Sequence, residues 1–314
     1  MTPTLIWTVA ILTGLGLLLA LALYLVARRF KVEEDPRIDQ VEAVLPGANC
    51  GGCGNAGCRA FAAAVVSSPS LEGNFCPVGG NEVMKKVAAV MGFEAVEKAP
   101  MVAVVRCRGT YQNRPSTSEY DGAQSCRVKI SLYSTDTGCA YGCLRCGDCA
   151  RACQFGALSL NQQTGLPEVN EAKCTACGAC VKVCPKTLIE LRNKGPRGMR
   201  EAVLCMNKEQ GPVAKKACSA ACIGCGICLR TCAHGAIVFG KNLSYIDYTK
   251  CKLCRECEAL CPSGAIQSFN FPKPLDKAAA KARALDRQRK AREAAAAAKA
   301  REEAEQAQAI KEES

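Results

Sequence analysis

The stretch ACIGCGICLRTCAHGAIVFG, residues 221–240, sets Cys222, Cys225, Cys228 and Cys232 in the pattern C-x2-C-x2-C-x3-C. A disulfide, a zinc ion and an iron–sulfur cluster are the three chemistries such a run could serve. The same pattern starts at Cys143, Cys174 and Cys251, and each run is followed by a short apolar segment: GALSL, KTLIEL, GAIVF or GAIQSF. Zinc sites usually pair two C-x2-C elements across a longer loop. Three closely spaced thiolates with a fourth at x3 suit a cubane better. In the bacterial ferredoxin pattern the first three hold one cluster and the fourth reaches its neighbour.

Two runs therefore make one two-cluster unit. The first unit is expected to use Cys143, Cys146, Cys149 and Cys184 for one cluster, and Cys174, Cys177, Cys180 and Cys153 for the other. The second unit uses Cys222, Cys225, Cys228 and Cys261, then Cys251, Cys254, Cys257 and Cys232. Pro185 and Pro262 follow two of the fourth cysteines, and Gln154 and Ala233 stand at the other two. The units look like a duplication. Cys126, Cys139, Cys143, Cys146, Cys149 and Cys153 recur 79 residues later at Cys205, Cys218, Cys222, Cys225, Cys228 and Cys232. Cys174, Cys177, Cys180 and Cys184 recur 77 residues later at Cys251, Cys254, Cys257 and Cys261. Such a repeat marks a structural unit used twice.

Outward from the repeat, residues 5–27 form a run of 23 residues without a charge, followed by RRFK at Arg28 to Lys31. That length spans a bilayer, and a basic flank faces the cytoplasm. A cleaved signal peptide is the competing reading, disfavoured by the missing charged n-region and the long apolar run. Trp7 and Tyr24 sit near the ends of the run, as interfacial aromatics do. A reducing cytoplasm sets stable disulfides aside. The chain is thus expected in the cytoplasmic (inner) membrane, single-pass, with its bulk on the cytoplasmic side.

After a charged and then Pro/Gly-containing connector at 28–49, NCGGCGNAGC and then NFCPVGG set Cys50, Cys53, Cys58 and Cys76 in the spacing C-x2-C-x4-C-x17-C. Its glycines let backbone N–H groups approach sulfur and iron. By spacing alone this group admits zinc as well as a [4Fe–4S] cluster. Residues 81–99 have helical apolar spacing and are expected to pack on this unit. Beyond Pro274 the chain turns to Ala, Lys, Arg and Glu with almost no apolar stripe. That reads as a solvated helical tail, with docking to anionic lipid or a partner as the alternative.

The expected fold class is α+β, made of small metal-organised units. It comprises a single transmembrane helix (1–27), a 4Fe–4S domain (28–100), a connector (101–138), a two-cluster ferredoxin unit (139–192), a second connector (193–217), a second two-cluster unit (218–270) and the helical tail (271–314). With 25 cysteines and 5% aromatics in 314 residues, one large apolar core is not expected. The formal charge of +12 counts every thiol as neutral. Each four-thiolate cubane carries about −2 when oxidised, so five would leave about +2, and a nucleic-acid partner is not expected. Cys107, Cys126, Cys139, Cys205 and Cys218 remain as buried free thiols or as ligands of a further cluster, with Cys107, Cys126, Cys139 and Cys143 one conceivable set. The expected cofactors are five [4Fe–4S] clusters, or six if the leftover thiols hold one. His234, the only histidine, reads as a turn residue. No hydrolytic, nucleotide-binding or zincin motif is present, and no catalytic residues are expected.

The apolar span with its basic flank, NCGGCGNAGC…CPVGG and the tandem ferredoxin runs, in that order, closely resemble the B subunit of the Rnf electron-transport complex, over residues 1 to about 270. The resemblance implies a [4Fe–4S] cluster on Cys50, Cys53, Cys58 and Cys76. It implies a cytoplasmic wire in a membrane complex that couples electron flow between ferredoxin and NAD to Na⁺ or H⁺ translocation. Soluble ferredoxin and the complex's other subunits would be its partners, with the flavins and the NAD site on those other subunits. The second ferredoxin unit and the Ala/Lys/Glu tail depart from the shortest family members. Two other functions compete: a membrane-anchored polyferredoxin serving another oxidoreductase, and a subunit that senses redox state or keeps a sensor reduced.

Overall fold

A computed structural model describes residues 3–29, 34–95, 97–132 and 135–312. Phe30 and Lys31 of the basic flank lie outside these residues. Helix α1 (Pro3–Arg29) is long and apolar enough over Trp7–Arg29 to cross a membrane, and the rest of the chain buries none of that stretch. Leucines along it stand exposed, a surface that lipid satisfies and water does not.

Helices α2 (Pro36–Val44), α3 (Cys58–Val66) and α4 (Gly80–Met91) close around Val41, Phe61, Val65, Met84 and Val87. Asp35 caps α2 by accepting from the Arg37 N–H, with Pro36 in the first turn. The expected helix over 81–99 stops early. Gly92 takes φ +70 and caps α4 in the left-handed conformation, which glycine adopts without the penalty other residues meet.

The first ferredoxin unit runs β1 (Met101–Val105), α5 (Cys126–Leu132), α6 (Asp148–Arg151), β2 (Leu158–Leu160), β3 (Pro167–Val169), α7 (Ala179–Val183) and β4 (Ile189–Asn193). β1 pairs antiparallel with β4, and β2 with β3. The second runs β5 (Arg200–Val203), α8 (Gly211–Ala217), α9 (Ile227–Thr231), β6 (Ile237–Gly240), β7 (Leu243–Ile246), α10 (Glu256–Leu260) and β8 (Ile266–Phe269). Its pairs are β5 with β8 and β6 with β7. The opening strand of each unit therefore lies in what the cysteine spacing marks as connector. A strand carries no ligand, so cysteine spacing is blind to it.

The two units end their outer strand pairs alike. The Arg106 N–H donates to the Leu188 carbonyl and the Leu204 N–H to the Ala265 carbonyl, both at 2.7 Å. Cys107 is therefore the spatial counterpart of Cys205. The 79-residue offset that matches Cys126 to Cys205 does not hold in space, because the first unit carries a longer excursion after its opening strand.

Val104, Ala202 and Leu204, with Phe269 against them, form the apolar seam between the units. Arg192, wholly buried, donates to the Glu201 carbonyl at 3.0 Å. Arg106 donates to the Val203 carbonyl at 3.3 Å, and Arg200 grips both oxygens of Glu171 at 2.8 and 2.7 Å. These contacts join one unit to the other. The N-terminal domain meets the first unit through Lys182, which donates to the Gly51 carbonyl at 3.3 Å.

The tail forms α11 (Lys277–Glu312), and its first turns are not solvated all round. Ala280 and Ala284 are buried, Arg287 grips both Glu256 oxygens at 2.6 and 2.7 Å, and Gln288 donates to Thr231 Oγ1 at 3.2 Å. The helix thus docks on the second ferredoxin unit. Arg287→Ala leaves the buried Glu256 carboxylate unpaired, at a cost of about 2 kcal/mol after discounting for the half-exposed arginine. Amide hydrogen exchange across residues 280–288 is expected to rise at least about tenfold. Unchanged protection would contradict this docking.

Candidate metal centres

Each ferredoxin run bends through left-handed residues between its cysteines. Arg145, Ala176, Gly224 and Leu253 hold φ of +61, +56, +66 and +58 between the first two. Gly147, Gly178, Gly226 and Arg255 hold +78, +79, +67 and +64 between the second two. Non-glycine residues adopt this conformation at a cost that the surroundings must repay. Such turns aim successive N–H groups inward, a concavity suited to an anion. The sulfurs also receive backbone donors: the Ala157 N–H to Cys153 at 3.3 Å, Leu188 to Cys184 at 3.4 Å and Gly79 to Cys76 at 3.4 Å. Donors of this kind stabilise the thiolate and set a cluster's potential.

The cysteines gather around cavities. Cys50, Cys53, Cys58 and Cys76 line one, and Cys153, Cys174, Cys177 and Cys180 line another. Both are the sets expected from spacing. A third is lined by Cys143, Cys149, Cys184 and Cys126, whereas Cys146 stays off it. Cys146 Sγ donates to the Leu144 carbonyl at 3.3 Å and is hydrogen-bonded to Cys126. The cause is α5, whose start is tied to α6 through Asp148: Ser125 Oγ and the Arg127 N–H donate to its carboxylate at 3.0 and 3.2 Å. This brings Cys126 to the wall of the cavity that Cys143, Cys149 and Cys184 line. The conceivable set of Cys107, Cys126, Cys139 and Cys143 is not brought together, since Cys107 and Cys139 line a different cavity.

In the second unit, Cys222, Cys228, Cys232, Cys251, Cys257 and Cys261 share one core, while Cys225 and Cys254 reach the surface. Cys228 lies in electrostatic range of Cys222 and Cys261, and Cys251 in range of Cys254 and Cys232. That is the interleaved order in which the last cysteine of each run faces the other run's group. Cys257 Sγ donates to the buried Glu201 carboxylate at 3.3 Å, and Cys228 Sγ to Ser244 Oγ at 3.2 Å. His234 lies in the turn ahead of β6.

Burial pushes the thiols of Cys143 and Cys149 up to about 12 and those of Cys180 and Cys251 up to about 11. Cys126 is drawn down to about 6, chiefly by its hydrogen bond with Cys146. Iron must displace the protons of the high group when it binds. Among the described residues, no three His, Cys, Asp or Glu side chains converge tightly enough for a single ion. Zinc holds sulfur at about 2.3 Å, so a tetrahedral ion would need the sulfurs nearly in contact. Thiols ringing a cavity fit a cubane instead.

Two known domain families match parts of the chain. Residues 45–78 match the family described as a putative Fe-S cluster, and residues 142–208 and 221–265 match the 4Fe-4S dicluster domain. Among curated relatives, the B subunit of the ion-translocating oxidoreductase complex of Methanosarcina acetivorans is 41% identical over 85% of this chain and 99% of its own length. The B subunit of the Na⁺-translocating ferredoxin:NAD⁺ oxidoreductase complex of Acetobacterium woodii is 41% identical over 82% of this chain and 76% of its own length. The proton-translocating counterpart from Clostridium ljungdahlii is 39% identical over 85% and 93%. With that likeness running through the N-terminal thiol group and both ferredoxin units, the chain belongs to the family of B subunits of the Rnf ion-translocating oxidoreductase complexes.

Proposed function

We propose that this chain is the iron–sulfur wire of a membrane complex that couples electron flow between ferredoxin and NAD to the movement of Na⁺ or H⁺. The observation that carries this is the succession of four-thiol cavities along one connected body behind an exposed apolar helix. Bound [4Fe–4S] clusters supply one-electron carriers that need no proton.

The chain's own residues hold and space these carriers. Cys50, Cys53, Cys58 and Cys76 hold the first. Cys153, Cys174, Cys177 and Cys180 hold the second, and Cys143, Cys146, Cys149 and Cys184 the third, with Cys126 beside Cys146. Cys222, Cys225, Cys228 and Cys261 hold a fourth, and Cys232, Cys251, Cys254 and Cys257 a fifth. The core of the first unit places Cys149 beside both Cys180 and Cys184, so adjacent cavities share walls. Helix α1 fixes the wire to the inner membrane in a single pass, and Arg28 and Arg29 keep the bulk of the chain on the cytoplasmic side. The chain has no complete active site, and NAD, flavin and the coupling ion belong to other subunits.

The test is ferredoxin-driven NAD⁺ reduction and ion uptake in vesicles holding the complex. Removal of this chain is expected to abolish both. Wild-type rates without it would overturn the reading.

A further inference from the structure

The duplication makes each ferredoxin unit a control for the other. The matched strand-end hydrogen bonds make Ala103 of β1 the counterpart of Glu201 of β5. The strand registers agree, since Ala103 pairs with Leu191 and Glu201 with Ser268, each three residues beyond the matched carbonyls of Leu188 and Ala265. The Asn170 N–H donates to the Ala157 carbonyl and the Asp247 N–H to the Ala236 carbonyl, both at 2.7 Å. Pro167 of β3 and Ser244 of β7 are therefore counterparts as well. By the repeat, Cys149 and Cys180 correspond to Cys228 and Cys257.

At both positions the first unit is apolar and the second is polar. Ala103 lines the cavity of Cys153, Cys174, Cys177 and Cys180, and Pro167 lines that of Cys143, Cys149 and Cys184. Neither side chain can donate a hydrogen bond. In the second unit, Glu201 Oε2 lies 3.3 Å from Cys257 Sγ and 3.9 Å from Cys251 Sγ, and Ser244 Oγ lies 3.2 Å from Cys228 Sγ. Glu201 and Ser244 are both 2% exposed, and Glu201 Oε1 has no hydrogen-bond partner. When Cys228 takes iron its proton leaves, and the Ser244 hydroxyl turns to donate to the sulfur. The proton that Cys257 shares with Glu201 stays on the carboxyl oxygen, because two buried anions at that separation repel strongly. In the first unit Cys126 brings Cys146 only a thiol, a weak donor.

Solvent acts in the same direction. Cys225 and Cys254 are exposed, whereas their counterparts Cys146 and Cys177 are buried and half-buried. Reduction adds a negative charge to a cluster. Hydrogen bonds to its sulfurs and contact with water both stabilise that charge and raise the potential.

We propose that Glu201 and Ser244 are positioning residues that set potential: each donates to a ligand sulfur, and together they make the clusters of the second ferredoxin unit easier to reduce than their twins in the first. Electrons on the chain settle in the second unit before the first fills. One electron enters each cluster, and the donated protons stay on Glu201 and Ser244. The inference rests on the wire reading above.

The test is an EPR-monitored redox titration of the full chain, purified without oxygen, with iron counted in the same samples. In the unaltered chain the second unit's clusters are expected to reduce ahead of the first unit's, and the component that Cys180→Ala removes should be among the late ones. Ser244→Ala and Glu201→Ala should each shift one cluster's equilibrium toward the oxidised form about tenfold, a fall of about 59 mV for one electron, with iron unchanged. Glu201→Gln keeps a donor and should hold the potential of the unaltered chain. An unmoved potential in Ser244→Ala, a rise in Glu201→Ala, a Glu201→Gln that behaves as Glu201→Ala, or a first-unit cluster reducing ahead of its twin would overturn the proposal. The order in the unaltered chain decides even if a variant loses iron. Equal potentials in a chain that still supports ferredoxin-driven NAD⁺ reduction would sink the ordering and leave the wire reading standing, whereas a chain that binds no iron would sink the wire reading itself.

Discussion

Cys180→Ala is expected to strip one cluster's iron from the chain and to lower electron throughput more than about 100-fold, a larger loss than altering a residue around a ligand produces. Cys180 is buried among Cys153, Cys174 and Cys177 at the meeting of α7 with the core of the first unit. No other thiol lines that cavity, so none can replace it. The N-terminal group meets this cavity's wall, with Gly52 against Cys177, which makes the cavity the next in line from that group. The check is iron content together with ferredoxin-driven turnover of the complex. A three-iron remnant with its own EPR signature would equally identify Cys180 as a ligand. Full iron with full turnover would remove this cavity from the path.

Gly52→Ala is expected to do something different: keep the iron and slow the current. Gly52 sits between Cys50 and Cys53, where a Cβ would come within 2.8 Å of the Cys177 carbonyl oxygen. That oxygen belongs to backbone and cannot swing aside, so the N-terminal domain must back away from the first ferredoxin unit. Each cubane is held within its own domain and should assemble normally. Electron transfer across the gap should slow several-fold, since tunnelling between clusters falls off exponentially with the distance between them. The comparison to make is iron content against turnover in the same preparation. Unchanged turnover would show that this contact is not the junction.

Much of the site is legible in the sequence because cubane ligation is local. Cys50, Cys53, Cys58 and Cys76, and likewise Cys153, Cys174, Cys177 and Cys180, are grouped in space as their spacing suggests. The apolar run before Arg28 reads directly as a span. What spacing cannot show is anything carried in by a distant element. Cys126 joins the wall of the cavity of Cys143, Cys149 and Cys184 because Asp148 anchors the start of α5, and no local pattern encodes that tie. The 79-residue offset pairs Cys126 with Cys205 by arithmetic, whereas matching strand-end hydrogen bonds pair Cys107 with Cys205. A signal for the latter was present in AVVRC, residues 103–107, beside AVLC, residues 202–205. The tail escaped for a simpler reason. It docks through two alanines and an arginine, too narrow a contact to leave an apolar stripe.

The seam also explains why a chain with two ferredoxin units need not conduct as two separate halves. Buried Arg106 and Arg192 stack on Tyr245 from the first unit's strands, at 4.9 Å from the ring centre in each case. Together with the Arg200–Glu171 pair they hold the units in one register. A fixed register is what electron transfer from one unit to the other requires.

The continuity of the wire is tested most directly by rapid mixing of the full chain, purified without oxygen, with reduced ferredoxin, followed through the visible thiolate-to-iron absorption. A single connected wire predicts that the absorption bleaches completely, with every cluster filling from one entry point. A fraction that stays oxidised, equal to one unit's share of the clusters, would contradict a continuous path from the Cys50 group through the seam to the second ferredoxin unit.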